Sequence, residues 1–454
     1  MFGLLIVMKK IIIPVVVIII GAFGALAYKS LNKNEKIPLL LDRQVSDSEV
    51  SEWKEVKRQV EELHASLRRN PGDNTSRLKL AEIFINEGKS SGKHYYYYSA
   101  AQNLLNFIIE SSSNVDAVRT KAMLHKASLL LSLNQFEQAL EVCIALSYDG
   151  YDSLFVNEMK FEALLGIGDY ERAKEIAELM RRTESNLKMY TRLARLCEIK
   201  GDLKGAKDFL LKGLSVDASD QELVLMAKYK MGCLFEQEGD LRTAEEIFKG
   251  ILAIDSGEAF AKSGMARIMV KNKKYAEAVH MLEEAYKVNP LIVFKEDIAR
   301  TYKIAGRMND ARKEVQDIVN DLEEGEKTGC NYDLIRANIY CEILEDYDLA
   351  LIYAERARSR WPENVDLNKL LAIIYYKVGD NENAELYLKK AAQVQENNPQ
   401  ISCLSGLLKY KSGEVKEGIS IMKKSVPKLN FYYCSVAFEA EDLIAKNDIS
   451  LSVK

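Results

Sequence analysis

A small residue recurs through this chain in nearly the same setting, and no other feature limits its fold so strongly. A turn containing Gly, Asp or Asn is followed by an aromatic residue or Leu, and two or three residues later by Ala. The pattern reads NQFEQALEV, GDYERAKEI, GDLKGAKDF, GDLRTAEEIF, NKKYAEAVHML, GRMNDARKEV, DYDLALIYA, GDNENAELYL and GEVKEGISIM. Its small positions are Ala139, Ala173, Ala206, Ala244, Ala278, Ala311, Ala350, Ala384 and Gly418, with Ala101 in SAAQNLLNF as a weaker first member. Upstream of most lies a second small residue between apolar ones, in LARLC, MGCLF, MARIM, IARTY and LAIIY. Self-similarity at a fixed period means stacked supersecondary units rather than one central core. Two helices joined by a tight turn pack closely only where small residues let their backbones approach, with larger apolar residues three or four places away filling the gaps. Composition agrees: 7 Pro and 24 Gly in 454 residues, with 29% charged, leave few strand or turn signals and favour helix nearly throughout. The expected class is all-α.

The unit resembles the tetratricopeptide repeat, whose 34-residue pattern runs W-x2-L-G-x2-Y, then A-x3-F, A and P. One unit supplies Met231, Gly232 and Phe235, then Ala244, Phe248 and Ile251; another supplies Met265, Ala266 and Met269, then Ala278, Leu282, Ala285 and Pro290; Pro362 closes a third. The unit ending in Gly168 lacks the first small residue. The resemblance implies a right-handed α-α superhelical solenoid of about ten helix pairs over residues 71–426. Intervals between anchors are 38, 34 and 33, again 38, 34 and 33, then 39, 34 and 34 residues. They arise either from separate insertions into three loops or from duplication of a three-unit block, which puts bulges on one side at regular intervals.

A solenoid needs capped ends. Residues 47–70 read as one charged amphipathic helix, ended by Pro71-Gly72, and residues 427–454 as a closing helix and tail after Pro427. Residues 1–10 form an N-terminal segment and 29–46 a linker. Between them, Ile11 to Tyr28 carry no charge. At about 1.5 Å per residue this stretch spans about 27 Å, close to the hydrocarbon core of a bilayer, and longer than a usual signal peptide core. Ala25-Leu26-Ala27 is a cleavage-like tripeptide, so the stretch is either a single-pass anchor, the reading adopted, or a cleaved signal. Lys9 and Lys10 before it and Lys29, Lys33 and Lys36 after it leave its orientation open. A short basic start, an apolar run and a large domain suit export, whereas seven unpaired-looking cysteines suit a reducing compartment.

No catalytic, cofactor or metal constellation accompanies the repeats. The four histidines, His64, His94, His125 and His280, fall in different units without H-E-x-x-H, and no phosphate-loop, G-x-S-x-G or dinucleotide motif is present. The cysteines show no C-x-x-C and read as small core residues. A formal charge of −4 shows no basic stripe for nucleic acid. Neither a cofactor nor a nucleic acid is expected, and the chain is read as a non-enzyme.

Binding is the remaining role. The resemblance implies that the first helix of each pair lines a concave groove, and that the residue after its small position faces it. Those residues are Arg195, Arg267 and Arg300, interrupted by Cys233. A row of guanidinium groups suits carboxylates on a partner; ordinary salt bridges to Glu198, Glu236 and Glu296 are the alternative. The Lys/Asn carboxylate clamp of chaperone-binding relatives has no match here. Four consecutive tyrosines, Tyr95, Tyr96, Tyr97 and Tyr98, sweep most of a helix circumference, so they serve either as a binding patch or as a plug beside the loose EGKSSGK turn. The expected protein is a membrane-anchored scaffold that binds proteins or peptides of a bacterial envelope complex at the inner membrane, with its solenoid outside the cytoplasm. The rivals are a cytoplasm-facing regulator of a membrane enzyme and an enzyme with an unrecognised site.

Overall fold

The computed structural model describes residues 39–42, 50–91, 93–111, 116–183, 185–217, 219–396, 398–429 and 434–452. The stretch 11–28 lies outside them. Two compact units are present, one ending at Ser76 and one beginning at Arg77. The first holds α1 (Val50–Arg69), whose buried Trp53, Val60, His64 and Leu67 fall on one stripe. The Pro71-Gly72 turn ends it, and Asp73 then caps the next helix by accepting from the Ser76 N–H at 3.0 Å.

The rest is helix after helix. Ten pairs follow among the described residues: α2 (Asn74–Ser91) and α3 (His94–Ser111), α4 (Ala117–Ser132) and α5 (Phe136–Tyr148), α6 (Leu154–Ile167) and α7 (Tyr170–Thr183), α8 (Leu187–Ile199) and α9 (Leu203–Val216), α10 (Gln221–Glu238) and α11 (Leu241–Ile254). Then come α12 (Ala259–Lys271) and α13 (Tyr275–Val288), α14 (Ile292–Ile304) and α15 (Met308–Glu326), α16 (Asp333–Asn338, continued as a π-helical turn over Ile339–Leu344) and α17 (Tyr347–Arg358), α18 (Val365–Val378) and α19 (Asn381–Val394), α20 (Pro399–Lys411) and α21 (Val415–Ser425). A last helix, α22 (Cys434–Ser452), follows. The first member of each pair is called A and the second B. No strand occurs among the described residues.

The Gly-Asp turns explain the recurrent motif. Gly168, Gly201, Gly239 and Gly379 close A helices at φ of +99°, +78°, +86° and +88°, a left-handed region that costs a residue with a Cβ. The Asp that follows caps the B helix: Asp202 accepts from the Gly205 N–H at 2.8 Å, and Asp240 and Asp380 do likewise with Thr243 and Asn383. Where Gly is missing, Asn134, Lys273 and Glu345 adopt the left-handed conformation themselves. The small residues are needed where helices cross: a Cβ on Gly232 would lie 2.4 Å from Phe248 Cε1, and one on Gly264 2.7 Å from Phe248 Cε2. Phe248 is thus clamped between two A helices, as its buried neighbours Ala244 and Ile251 are.

Two of the three long intervals are taken up by helix. α10 has 18 residues and α15 has 19, against 13 and 14 in α8 and α9. One is an A helix and the other a B helix, so regular bulges on one side, the consequence expected of block duplication, do not follow; helix extension keeps every backbone group paired where a longer loop would not.

The second unit also meets itself. Asn134 Nδ2 donates to the Asn331 carbonyl at 3.1 Å, Asn364 Nδ2 to the Gly166 carbonyl at 3.1 Å, and Gln395 Nε2 to the Glu198 carbonyl at 3.3 Å. Partners in these bonds are 197, 198 and 197 residues apart. The turn inside one pair therefore rests on the turn leading into the sixth pair after it, and the offset holds along the whole seam. Buried apolar residues from both sides merge there, among them Leu165, Tyr170, Trp361 and Val365.

Candidate functional site

Two regions of the second unit carry concentrated polar chemistry: the ridges of the A helices and the seam.

Along the A helices, charged partners are set one repeat apart. Glu158 takes Lys188 at 2.7 Å and Arg192 at 3.1 Å, Glu162 takes Arg195 at 2.5 Å, and Glu236 takes Arg267 at 2.9 Å. The three predicted arginines hold the same place in α8, α12 and α14, but their surroundings differ. Arg195 keeps 45% of its side-chain surface open. Arg267 is 3% exposed, with Nε also donating to both Glu236 oxygens and Nη1 to Ser263 Oγ at 2.9 Å. Arg300 is fully buried and reaches Asn338 Oδ1 at 3.4 Å. The structure therefore presents one of these guanidinium groups to solvent and uses two inside the protein. Of the expected salt bridges, Arg267 with Glu236 forms directly, and Arg195 selects Glu162 instead of Glu198.

Around Arg300 the carboxylates carry the burden of burial. Burial pushes Glu296 up to about 7, against the opposing attraction of Arg300, and pushes Asp297 up to about 6, against Arg267 and the Ser263 hydroxyl. Raised folded-state values mean that the folded chain holds these protons more tightly than the unfolded one, so the associated stability is complete below the ordinary carboxylate range and is lost as pH rises through 6 to 7. Glu296→Gln is accordingly expected to raise stability by roughly 1–2 kcal/mol at about pH 8 while leaving it unchanged at about pH 3.5, read by denaturant melts of variant and parent.

A helices in the C-terminal half already hold Leu429, Ser435 and Glu439 from the end of the chain. Lys271 Nζ donates to the Leu429 carbonyl at 2.8 Å, and the Ser435 N–H to Glu342 Oε2 at 3.1 Å. Lys377 Nζ reaches the Ser435 carbonyl at 3.0 Å and Glu439 at 2.6 Å, and the Tyr376 hydroxyl donates to Glu439 at 2.5 Å. All four holders, Lys271, Glu342, Tyr376 and Lys377, sit on A helices. The π-helical turn of α16 contributes the Glu342 carbonyl to Lys303 at 2.8 Å, a local irregularity of the sort that often marks functional positions. Burial alone would raise the Glu439 carboxyl, but Lys377 and Tyr376 hold it below its ordinary value.

At the seam lies a recess of about 420 Å³, bounded by the α6–α7 and α8–α9 turns on one side and the α17–α18 and α19–α20 turns on the other. Arg195, Glu198, Trp361, Asp366, Lys369, Gln400 and Lys428 are among its walls. Asp366 binds Lys369 at 2.7 Å and still has 67% of its side-chain surface open, facing the recess. Lys369, with Arg195 adding to it, keeps this carboxylate below its ordinary value.

The tyrosine run serves packing. Tyr97 and Tyr98 are buried, Tyr97 against Phe84 at 5.7 Å between ring centroids, and Tyr98 against Gly88, where a Cβ would come within 2.5 Å of its ring. Tyr96 is half-buried and meets Tyr97 edge-on; the side chain of Tyr95 lies outside the described residues. Among the described residues Cys143, Cys197, Cys233, Cys330 and Cys403 are free thiols, and Cys143, Cys330 and Cys403 are buried. No group of three or more His, Cys, Asp or Glu placed to hold a metal occurs among the described residues, and no helix among them is long and apolar enough to cross a membrane.

Comparison with known proteins agrees with the helix pairs. Residues 187–220 and 344–400 each match a tetratricopeptide repeat family model. These two stretches carry tetratricopeptide repeats. A cattle protein, the BBSome complex member BBS4, is 22% identical over 315 residues, covering 68% of this chain and 52% of that protein; the chain thus spans about half that relative's length. Among solved structures, the Cut9–Hcn1 hetero-tetramer of APC/C is similar at 10% identity and a TM-score of 0.46, over 88% of this chain and 94% of that one. Rap protein complexed with Competence and Sporulation Factor is similar at 11% identity and 0.44, over 72% and 99%. Human IFIT1, a dimer with PPP-AAAA, is similar at 15% and 0.43, over 75% and 88%.

Proposed function

We propose that this chain is a scaffold that binds partner proteins along its A helices and is held at a bacterial inner membrane by residues 11–28, within an envelope complex for secretion, surface-polymer export or appendage assembly. The observation that carries the binding role is the grip of Lys271, Glu342, Tyr376 and Lys377 on Leu429, Ser435 and Glu439. It combines main-chain and carboxylate contacts, the chemistry by which a groove reads an acidic helix or tail. The cattle relative is itself a complex member, which supports an assembly role. For the membrane, the support is the uncharged run from Ile11 to Tyr28.

The test is made in whole cells. The full chain should sediment with membranes in high salt and be released by deletion of 11–28; a mature chain beginning at Tyr28 would show cleavage and overturn the anchor. Protease added to spheroplasts should digest the repeats; protection would place them in the cytoplasm. Crosslinking with mass spectrometry should capture the same envelope protein repeatedly, and Glu439→Gln or Glu439→Lys, which removes the carboxylate held by Lys377 and Tyr376, should raise its yield several-fold. Capture insensitive to those substitutions would sink the A-helix surface as the binding face.

A further inference from the structure

The recess at the seam is lined by polar groups that their own neighbours leave unsatisfied. Trp361 is 2% exposed, and its Nε1 is buried without an acceptor; Gln400 is 3% exposed, and its Oε1 is buried without a donor. Both side chains line the recess. Unmet buried polar atoms are rare in folded proteins and are normally answered by a ligand or water. Together these two offer one N–H and one carbonyl oxygen, the complement of a single amide. Charges of both signs surround them. Arg195 and Lys428 stand beside Asp366 and Glu198 in the same lining, so neither a bare anion nor a bare cation matches it.

We propose that this recess is a binding site for a short peptide of two or three residues with both termini free. Its carboxylate meets Arg195 and Lys428, its ammonium meets Asp366 and Glu198, and its amide answers Trp361 and Gln400. Charge-assisted bonds of this kind orient a zwitterion uniquely. A volume of about 420 Å³ corresponds to roughly 14 waters at ~30 Å³ each, within the range of small-ligand sites. A nucleoside triphosphate does not fit, because Asp366 and Glu198 would face its phosphates. Because the walls come from turns about 197 residues apart along the chain, the peptide bridges the seam. The recess draws on A helices α8, α18 and α20 but on none of Lys271, Glu342, Tyr376 or Lys377, so failure of this site and failure of the scaffold reading are told apart.

The experiment uses the full chain and a defined pool of free dipeptides, read by native mass spectrometry and isothermal titration. The same pool with acetylated and amidated ends is the control. Saturable binding of the free pool alone is expected, with Arg195→Met weakening it about tenfold or more. Gln400→Leu should abolish binding while raising the melting temperature of the unliganded chain, because it removes an unmet buried oxygen; this guards against loss through misfolding. Equal binding of the blocked pool, binding unchanged in both variants, or no binding by the free pool to the folded parent would each overturn the assignment.

Discussion

Arg267→Ala is expected to destabilise the middle of the repeat array by about 3–5 kcal/mol, the scale for breaking one side of a buried ion pair. The guanidinium gives Glu236 three hydrogen bonds or ion contacts between 2.9 and 3.1 Å and bonds Ser263 as well. Truncation leaves the Glu236 carboxylate buried with its charge unanswered, and Asp297, which Arg267 also steadies, loses an opposing charge. Hydrogen exchange should show the loss in α10, α12 and α14 first, since each repeat depends mainly on its neighbours. Replacing the pair together, Arg267→Met with Glu236→Leu, should recover most of the stability, because it is the orphaned charge and not the missing bond that costs most. Arg195→Ala is the matched control. It alters the same position of another A helix, but its ion pair with Glu162 is 45% and 35% exposed at the two side chains, so the effect should stay within about 0–1 kcal/mol. Equal losses at the two arginines would show that burial does not set them apart.

Gly168→Ala should open the seam. Its φ of +99° already disfavours a residue with a Cβ, by about 1–2 kcal/mol. An added Cβ would also stand 2.6 Å from the Asn364 backbone nitrogen and 2.7 Å from the Glu363 carbonyl carbon, atoms that move only if the backbone moves. Overpacking adds about 1–3 kcal/mol, giving a total of roughly 2–5 kcal/mol. Exchange should rise at the Val365 amide, which donates to the Tyr170 hydroxyl at 2.9 Å across the seam. Gly379 separates the two terms: its φ is +88°, yet a Cβ there meets nothing within 4 Å. Gly379→Ala should cost the conformational part alone and leave Val365 protected. If both substitutions cost the same, the contact between successive turns of the array does not contribute to stability.

The contrast between these pairs shows what could be read from the chain and what could not. Ala244, Ala278 and Ala311 are wholly buried, as their place in the motif requires, and the Gly-Asp turns start and stop helices where the pattern puts them. Arg195, Arg267 and Arg300 occupy one register, legible from the ARL, ARI and ART contexts. That Arg267 and Arg300 are covered while Arg195 is open was not legible, because exposure depends on what the rest of the chain lays over the helix. Trp361, Asp366 and Gln400 passed unnoticed for the same reason. Each looks ordinary in its own repeat, and nothing local links it to Arg195. The tyrosines could be read either way from sequence, and the narrow space beside Gly88 decided for Tyr97 and Tyr98.

Local interactions within some 34 residues therefore determined helix identity, pairing and the positions of close crossing, since backbone capping and small-residue packing act between neighbours in the chain. The curvature that brings a turn onto another about 197 residues later is a sum of small rotations at every crossing. No single residue encodes that sum. Only the tertiary structure could set which charges are buried, where Leu429, Ser435 and Glu439 lie, and that the two lines of turns enclose a polar recess.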